Sequence, residues 1–330
     1  MNNMNLTSEQ NKFINDFVIE IRNGDAAIFA GAGLSASSGF VNWKDLLRDL
    51  ADELHLDIDK EHDLIGVAQY YFNRHKRSKI NNKIKNEFST LTKGSENHKL
   101  LSRIGIETFW TTNYDQLIEK TLEDDGKIVE KKIRNEDFSS NIKRKDAIIY
   151  KMHGDKDSPN EAILIKDDYE TYQDKKELFS TALRGDLLSK TFLFIGFSFD
   201  DPNLEYILGR IKVLLKDNTP THYCFFKEVN KKDYQEEKDF LYAKIKQELK
   251  IEDLRRYGIN AIMVKEYSDI TLILSEIERK LKLNNIFISG AAHSYDPFEK
   301  KEAIDFIHHL SYDLAKEGNK IISGYGLGIG

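Results

Sequence analysis

Residues 26–35 read Ala26-Ala27-Ile28-Phe29-Ala30-Gly31-Ala32-Gly33-Leu34-Ser35, five unbroken apolar residues running into a glycine-rich turn. Continuous apolarity over the length of a strand marks a strand buried on both faces, the habit of a parallel sheet covered by helices. Gly31 and Gly33 permit a tight turn and close backbone approach, so main-chain amides can face a pyrophosphate. A glycine turn that only packs a helix against the strand is the competing reading.

Apolar runs of the same kind recur at 108–111, 147–152, 191–196, 223–226 and 259–264, with helical periods between them. Phe13, Phe17, Val18 and Ile21 precede the first strand, and Leu204, Ile207, Leu208 and Ile211 follow the fourth. Asp201-Pro202 reads as a cap and a first helical residue. Strand, loop and helix in alternation predict an α/β fold, a doubly wound and mostly parallel sheet over residues 1–283. From Gly39 to Leu101 the pattern is helical, with Trp43, Leu46, Leu47 and Leu50 on one face, so a helical insertion separates the first two strands. The charged stretch 231–257 reads as a helix with a solvated face.

At Asn285 the pattern restarts: a strand at 286–289, the turn Gly290, a helix over 297–316, a strand at 320–323 and a glycine-rich loop, Gly324 to Gly330. Residues 284–330 thus begin a second Rossmann-like domain. The stretch is too short to close a sheet, and the sequence is expected to be a fragment cut inside that domain.

The 330 residues are 40% hydrophobic, which excludes a disordered chain and, at roughly 150 residues per domain, fits about two domains. A net charge of −6 supplies no global positive field for nucleic acid or an anionic membrane. The short basic runs at 74–77 and 143–145 read as solvated surface. One cysteine, Cys224, excludes intrachain disulfides and multi-cysteine zinc sites; no metal is expected, and a reducing cytoplasm is. Neither a secretory signal nor a membrane span is legible.

Three further strand ends carry chemistry. The second closes in Thr111-Thr112-Asn113-Tyr114-Asp115, the third in Lys151-Met152-His153-Gly154-Asp155, and the fourth in Gly196-Phe197-Ser198-Phe199-Asp200-Asp201. Open α/β sheets bind ligands beyond the carboxyl ends of their strands, where all four loops converge. Asn113 and Asp115 have a second reading as caps of the following helix.

These motifs in this order resemble the sirtuin family, whose Gly-Ala-Gly-x-Ser loop, Thr-x-Asn-x-Asp segment, His-Gly pair and later Gly-x-Ser loop surround NAD. Sirtuin deacylases usually add a four-cysteine zinc module, and they follow the glycine loop with Pro-Asp-Phe-Arg. Here one cysteine is present and the loop is followed by Phe40-Val41-Asn42-Trp43-Lys44. A fuller resemblance, carried by residues 27–34, 109–119, 150–155, 164–169, 190–206 and 321–330, is to the NAD hydrolase effectors of bacterial Thoeris anti-phage defence. In these a sirtuin-type domain precedes a SLOG domain. The resemblance implies a chain that takes NAD as substrate, without a cofactor, and cleaves its nicotinamide–ribose bond. It further implies activation by a cyclic ADP-ribose isomer that a TIR-domain partner makes, NAD depletion in abortive infection, and a homo-oligomer, a tetramer in the family.

Hydrolysis suits these residues. Nicotinamide in NAD is already a cationic leaving group, so a general acid and a catalytic carboxylate pair are not required. The site must hold the pyrophosphate, stabilise an oxocarbenium-like ribose and position a water or hydroxyl. The first task falls to Gly31, Ala32, Gly33 and Ser35. By the sirtuin resemblance, Asn113 positions ribose or water, and His153 accepts a proton, a task suited to an imidazole titrating near pH ~6.5. Asp115 orders the loop or polarises a neighbour, and Gly196 and Ser198 contact the adenosine side. Effector contacts are expected at Ser289, Gly290, Gly324, Gly326 and Gly328. Two alternatives stand beside hydrolysis: a non-catalytic NAD or ADP-ribose sensor, since glycine loops bind phosphates without chemistry, and a protein deacylase.

Overall fold

The run Ala26–Ala30 is buried at every position, as a strand in the middle of a doubly covered sheet must be. It forms β1 (Ala26–Ala30) of the computed structural model, which describes residues 6–90, 92–199, 201–216, 218, 220–283, 285–288 and 294–323. β2 (Thr108–Thr111), β3 (Val129–Lys132), β4 (Ala147–Lys151), β5 (Thr191–Ile195), β6 (His222–Lys227) and β7 (Ile259–Val264) complete a seven-stranded sheet in the order β3-β4-β2-β1-β5-β6-β7. Every pairing in it is parallel. The chain moves from β1 to one side of the sheet and returns for β5 on the other, so the winding reverses between β1 and β5. Ala30 is in register with Thr111 and Ile195, and Thr111 with Lys151, which brings the loops after β1, β2, β4 and β5 to one rim.

Helices cover both faces. α1 (Ser8–Asn23) starts at a Thr7/Gln10 capping box, buries Phe13, Ile14, Phe17 and Val18, and stops at Gly24, whose left-handed φ of 79° suits glycine. After the short α2 (Ala32–Ala36) come α3 (Trp43–Glu53), α4 (Leu64–His75), α5 (Arg77–Glu87) and α6 (Glu96–Arg103), the expected helical insertion. Leu46, Leu47, Leu50, Tyr71, Ile80 and Ile84 of the insertion share one core with Tyr114 and Leu117, so its packing runs directly into the loop after β2. α7 (Leu117–Asp124), α8 (Lys166–Glu170), α9 (Tyr172–Lys175), α10 (Glu177–Ser189) and α11 (Pro202–Leu215) follow, and Phe29, Phe192 and Phe194 of the sheet meet Phe179, Leu183 and Ile207 of α10 and α11. α12 (Glu237–Arg255) buries Leu254 alone, in keeping with its charged sequence. α13 (Ser268–Lys282) follows β7.

β3 has no counterpart among the apolar runs. Val129-Glu130-Lys131-Lys132 is an edge strand whose Glu130 and Lys132 are buried as an ion pair 2.8 Å apart. A charged edge discourages pairing with another chain, and it also hides the strand from a hydrophobicity reading. Burial pushes Glu130 up, but Lys132 and Lys145 outweigh it and hold the carboxyl below its ordinary value.

The chain divides into two compact units, residues 1–275 and 276–330. In the second, β8 (Asn285–Ile288) pairs in parallel with β9 (Lys320–Ser323), and α14 (Lys300–Lys316) joins them. α14 begins three residues after Pro297, where the sequence pattern had started it. Among the described residues no helix is long and apolar enough to cross a membrane.

Candidate active site

At the reversal point the β1 and β5 loops touch backbone to backbone. The Gly31 N–H donates to the Ile195 carbonyl at 3.0 Å and the Gly33 N–H to the Gly196 carbonyl at 2.9 Å. A Cβ on Gly31 would lie 2.4 Å from the Gly196 oxygen, and one on Gly196, at φ +65°, would lie 2.1 Å from the Leu34 nitrogen. The glycines are therefore required by one another, and the packing role of the turn is realised. Two of its amides are engaged within the protein; Ala32 opens the short α2 beside them and Ser35 lies in it one turn on.

Thr111 links the β2 end to this loop, its hydroxyl donating to the Ala30 carbonyl and accepting from the Asn113 N–H, both at 3.0 Å. The Asn113 amide nitrogen then donates to the Gly31 carbonyl at 3.1 Å and to Ser35 Oγ at 3.2 Å. Asp115 Oδ1 accepts from the Leu117 N–H at 2.9 Å, so this carboxylate does cap α7. Beneath it Lys151 is fully buried, donating to the Asp115 carbonyl and lying 2.8 Å from Glu119 and 2.7 Å from Asp155. Burial alone would lower its pKa, but the carboxylates prevail and keep the ammonium protonated, while burial pushes Glu119 upward.

Beyond β4, His153 is 2% exposed. Its carbonyl accepts from the Ile163 N–H at 3.0 Å, and the Tyr114 hydroxyl donates to the Ile163 carbonyl at 2.7 Å. The imidazole meets Tyr169 and Tyr172 edge to face, with centroids 5.6 and 6.5 Å away. Its Nε2 lies 3.0 Å from Asp201 Oδ2, an ion-pair distance without the alignment of a hydrogen bond. Asp201 also caps α11, Oδ1 accepting from the Asn203 and Leu204 amides at 3.0 Å each. Burial pushes its carboxyl up, but His153 and those amides outweigh it and hold it below its ordinary value. Gly196 and Ser198 lie exposed on the neighbouring loop, where Phe199 adopts a left-handed φ of 62°.

A small recess opens at this rim. Ser35, Asn42, Thr112, Asn113 and Asp115 supply its polar lining beside Ala32, and the insertion supplies apolar walls through Phe40 and Trp43. Trp43 in turn stands edge-on to Tyr169 at 6.4 Å, next to His153. Of the residues singled out from sequence, the recess gathers Ala32, Ser35, Asn113 and Asp115; Gly31, Gly33, His153, Gly196 and Ser198 are placed around it. Ser289, Gly290, Gly324, Gly326 and Gly328 lie outside the described residues. Among the described residues no group of three or more His, Cys, Asp or Glu side chains is placed to hold a metal ion. Asp201 and the apolar wall were missed: the first reads in sequence only as a helix cap, the second only as a core face.

Comparison with known proteins matches this architecture. Residues 107–253 match the SIR2-like domain model, and residues 269–330 match the Sir2- and TIR-associating SLOG family. The protein is therefore of the class that joins a SIR2-like domain to a SLOG domain. It is 50% identical to the NAD(+) hydrolase ThsA of Cytobacillus dafuensis, over 98% of this chain and 67% of that relative. It is 48% identical to the NAD(+) hydrolase ThsA of Bacillus cereus (strain MSX-D12), over 96% of this chain and 67% of the relative. The Defense-associated sirtuin 2 of Bacillus subtilis is 26% identical over 62% of this chain and 21% of its own length. The chain belongs to the ThsA family of NAD(+) hydrolases.

Proposed function

We propose that this protein cleaves the nicotinamide–ribose bond of NAD, yielding nicotinamide and ADP-ribose, and that a cyclic ADP-ribose isomer bound by the SLOG part, residues 284–330, activates it. The observation that carries the reading is Asn113, clamped between Gly31 and Ser35 in the polar lining of the recess, with His153 at the next strand end. In this reading Asn113 orients the ribose or the attacking water and His153 takes up its proton. The β1 loop, Gly31 to Ser35, faces the pyrophosphate chiefly through Ala32 and Ser35, because the Gly31 and Gly33 amides are engaged. Gly196 and Ser198 contact the adenosine side, and Asp115 orders the loop through its cap. The effector would come from a TIR-domain partner, the assembly would be a homo-oligomer in the cytoplasm, and the outcome would be NAD depletion during phage infection.

An effector acts only through a difference in affinity between two states, so activation must be measurable at both ends. Nicotinamide release from NAD should rise when a cyclic ADP-ribose isomer is added, and the isomer should bind in calorimetry. A protein that binds no such isomer, or whose turnover none of them alters, would contradict the regulatory half of the proposal.

A further inference from the structure

We infer that Asp201 is a positioning residue for His153: its carboxylate holds the imidazole in the Nε2–H tautomer and leaves Nδ1 as the basic nitrogen. The inference rests on the hydrolase reading, in which His153 accepts a proton from ribose or water. It goes beyond it by naming the atom that does so and the group that selects it.

The two carboxylate oxygens are divided between two tasks. Oδ1 is tied to the first turn of α11 by the Asn203 and Leu204 amides, and Oδ2 faces His153 Nε2 at 3.0 Å. Both side chains are withdrawn from water, at 2% exposure for His153 and 9% for Asp201. An ionised carboxylate only accepts hydrogen bonds, so a neutral imidazole facing it carries its proton on Nε2. Tyr169 and Tyr172 stand against the ring at interplanar angles of 88° and 70°, which opposes the flip that would present the other nitrogen. When the ring takes up a proton, the same carboxylate stabilises the imidazolium. The imperfect alignment without ligand is common at such pairs, which tighten when substrate binds. The helix cap thereby fixes a strand-end base to the element after the next strand, across the point where the winding reverses.

Asp201→Asn separates the two tasks. Asn caps a helix as well as Asp, so α11 keeps its start, but an amide N–H now donates toward Nε2 and favours the opposite tautomer. Asp201→Ser keeps a capping oxygen that is too short to reach the ring. For both variants we expect a folded protein, with a melting temperature lowered by a few degrees at most, and a kcat lowered about 10²- to 10⁴-fold, as for a base held in the wrong tautomer, with KM within about threefold. In ¹H–¹⁵N spectra of histidine-labelled protein without NAD, the His153 signals, assigned by their loss in His153→Gln, should show Nε2–H in the unsubstituted protein and shift toward Nδ1–H in Asp201→Asn. An Nδ1–H ring in the unsubstituted protein, an unmoved signature in Asp201→Asn, or a kcat within about threefold of the parent would overturn the inference. Absence of NAD turnover in the unsubstituted protein would instead strike the hydrolase reading, since the ring signature is read without NAD.

Discussion

The Asn113 carboxamide gives its amide nitrogen to the β1 loop, to Gly31 at 3.1 Å and Ser35 at 3.2 Å, and this leaves Oδ1 as the part able to meet a ligand. Asn113→Asp keeps the size but sets an acceptor against the Gly31 carbonyl, and a buried acceptor without a donor costs about 1–3 kcal/mol. We expect nicotinamide release to fall about 10²-fold or more, as for a lost positioning donor, with a melting temperature lowered by a few degrees; undiminished release would contradict the role given to this side chain. At this scale the sequence displayed Asn113 and His153 plainly, because each sits just beyond an apolar strand. It did not display the Asp201 partnership, since an Asp before Pro202 gives the same capping signal whether or not its second oxygen has another task. Nor did it show that Gly31 and Gly33 are engaged with Gly196, because that contact joins residues about 165 positions apart.

Two histidines tie elements together in a form that only the neutral ring supports. His98 Nδ1 accepts from the Ser95 N–H at 3.1 Å in the cap of α6, and His222 Nδ1 accepts from the Phe192 N–H at 3.2 Å, joining β6 to β5. Burial pushes both from the ordinary histidine value of 6.5 down to about 4, against a smaller upward pull of Asp115 on His98. Between pH 6.5 and about 4 the unfolded chain therefore binds these protons and the folded one does not, so stability falls as pH falls through that window. The expected slope is on the order of 1.4 kcal/mol per pH unit for each group, to be read from urea unfolding at pH 7, 6 and 5. Stability that is flat over that range would contradict the neutral assignment. Six of the seven strands of the main sheet were legible as apolar runs, to within a residue at each end. β3 was not, because its polar residues are satisfied by ion pairs at an edge rather than by an apolar environment. The helix α12 was legible as solvated because its charges lie on every face.

For the whole molecule, what sequence conveyed was the order of motifs, and what it withheld was the order of strands. Alternating strand and helix imply a doubly wound sheet, but only the pairing of β1 with both β2 and β5 locates the reversal point and hence the rim on which Asn113, His153 and the glycine loops meet. The insertion likewise read only as helices between the first two strands, whereas its core continues through Tyr114 and Leu117 and its Phe40 and Trp43 wall the recess. The central claim is that this rim hydrolyses NAD. The measurement that bears on it most directly is nicotinamide and ADP-ribose formation from NAD by the purified protein, with and without a cyclic ADP-ribose isomer, beside Asn113→Ala and His153→Ala. The account predicts equal yields of the two products from the parent and loss of both in either variant, with each variant still folded. NAD bound but left intact by the parent, or full turnover in both variants, would contradict it.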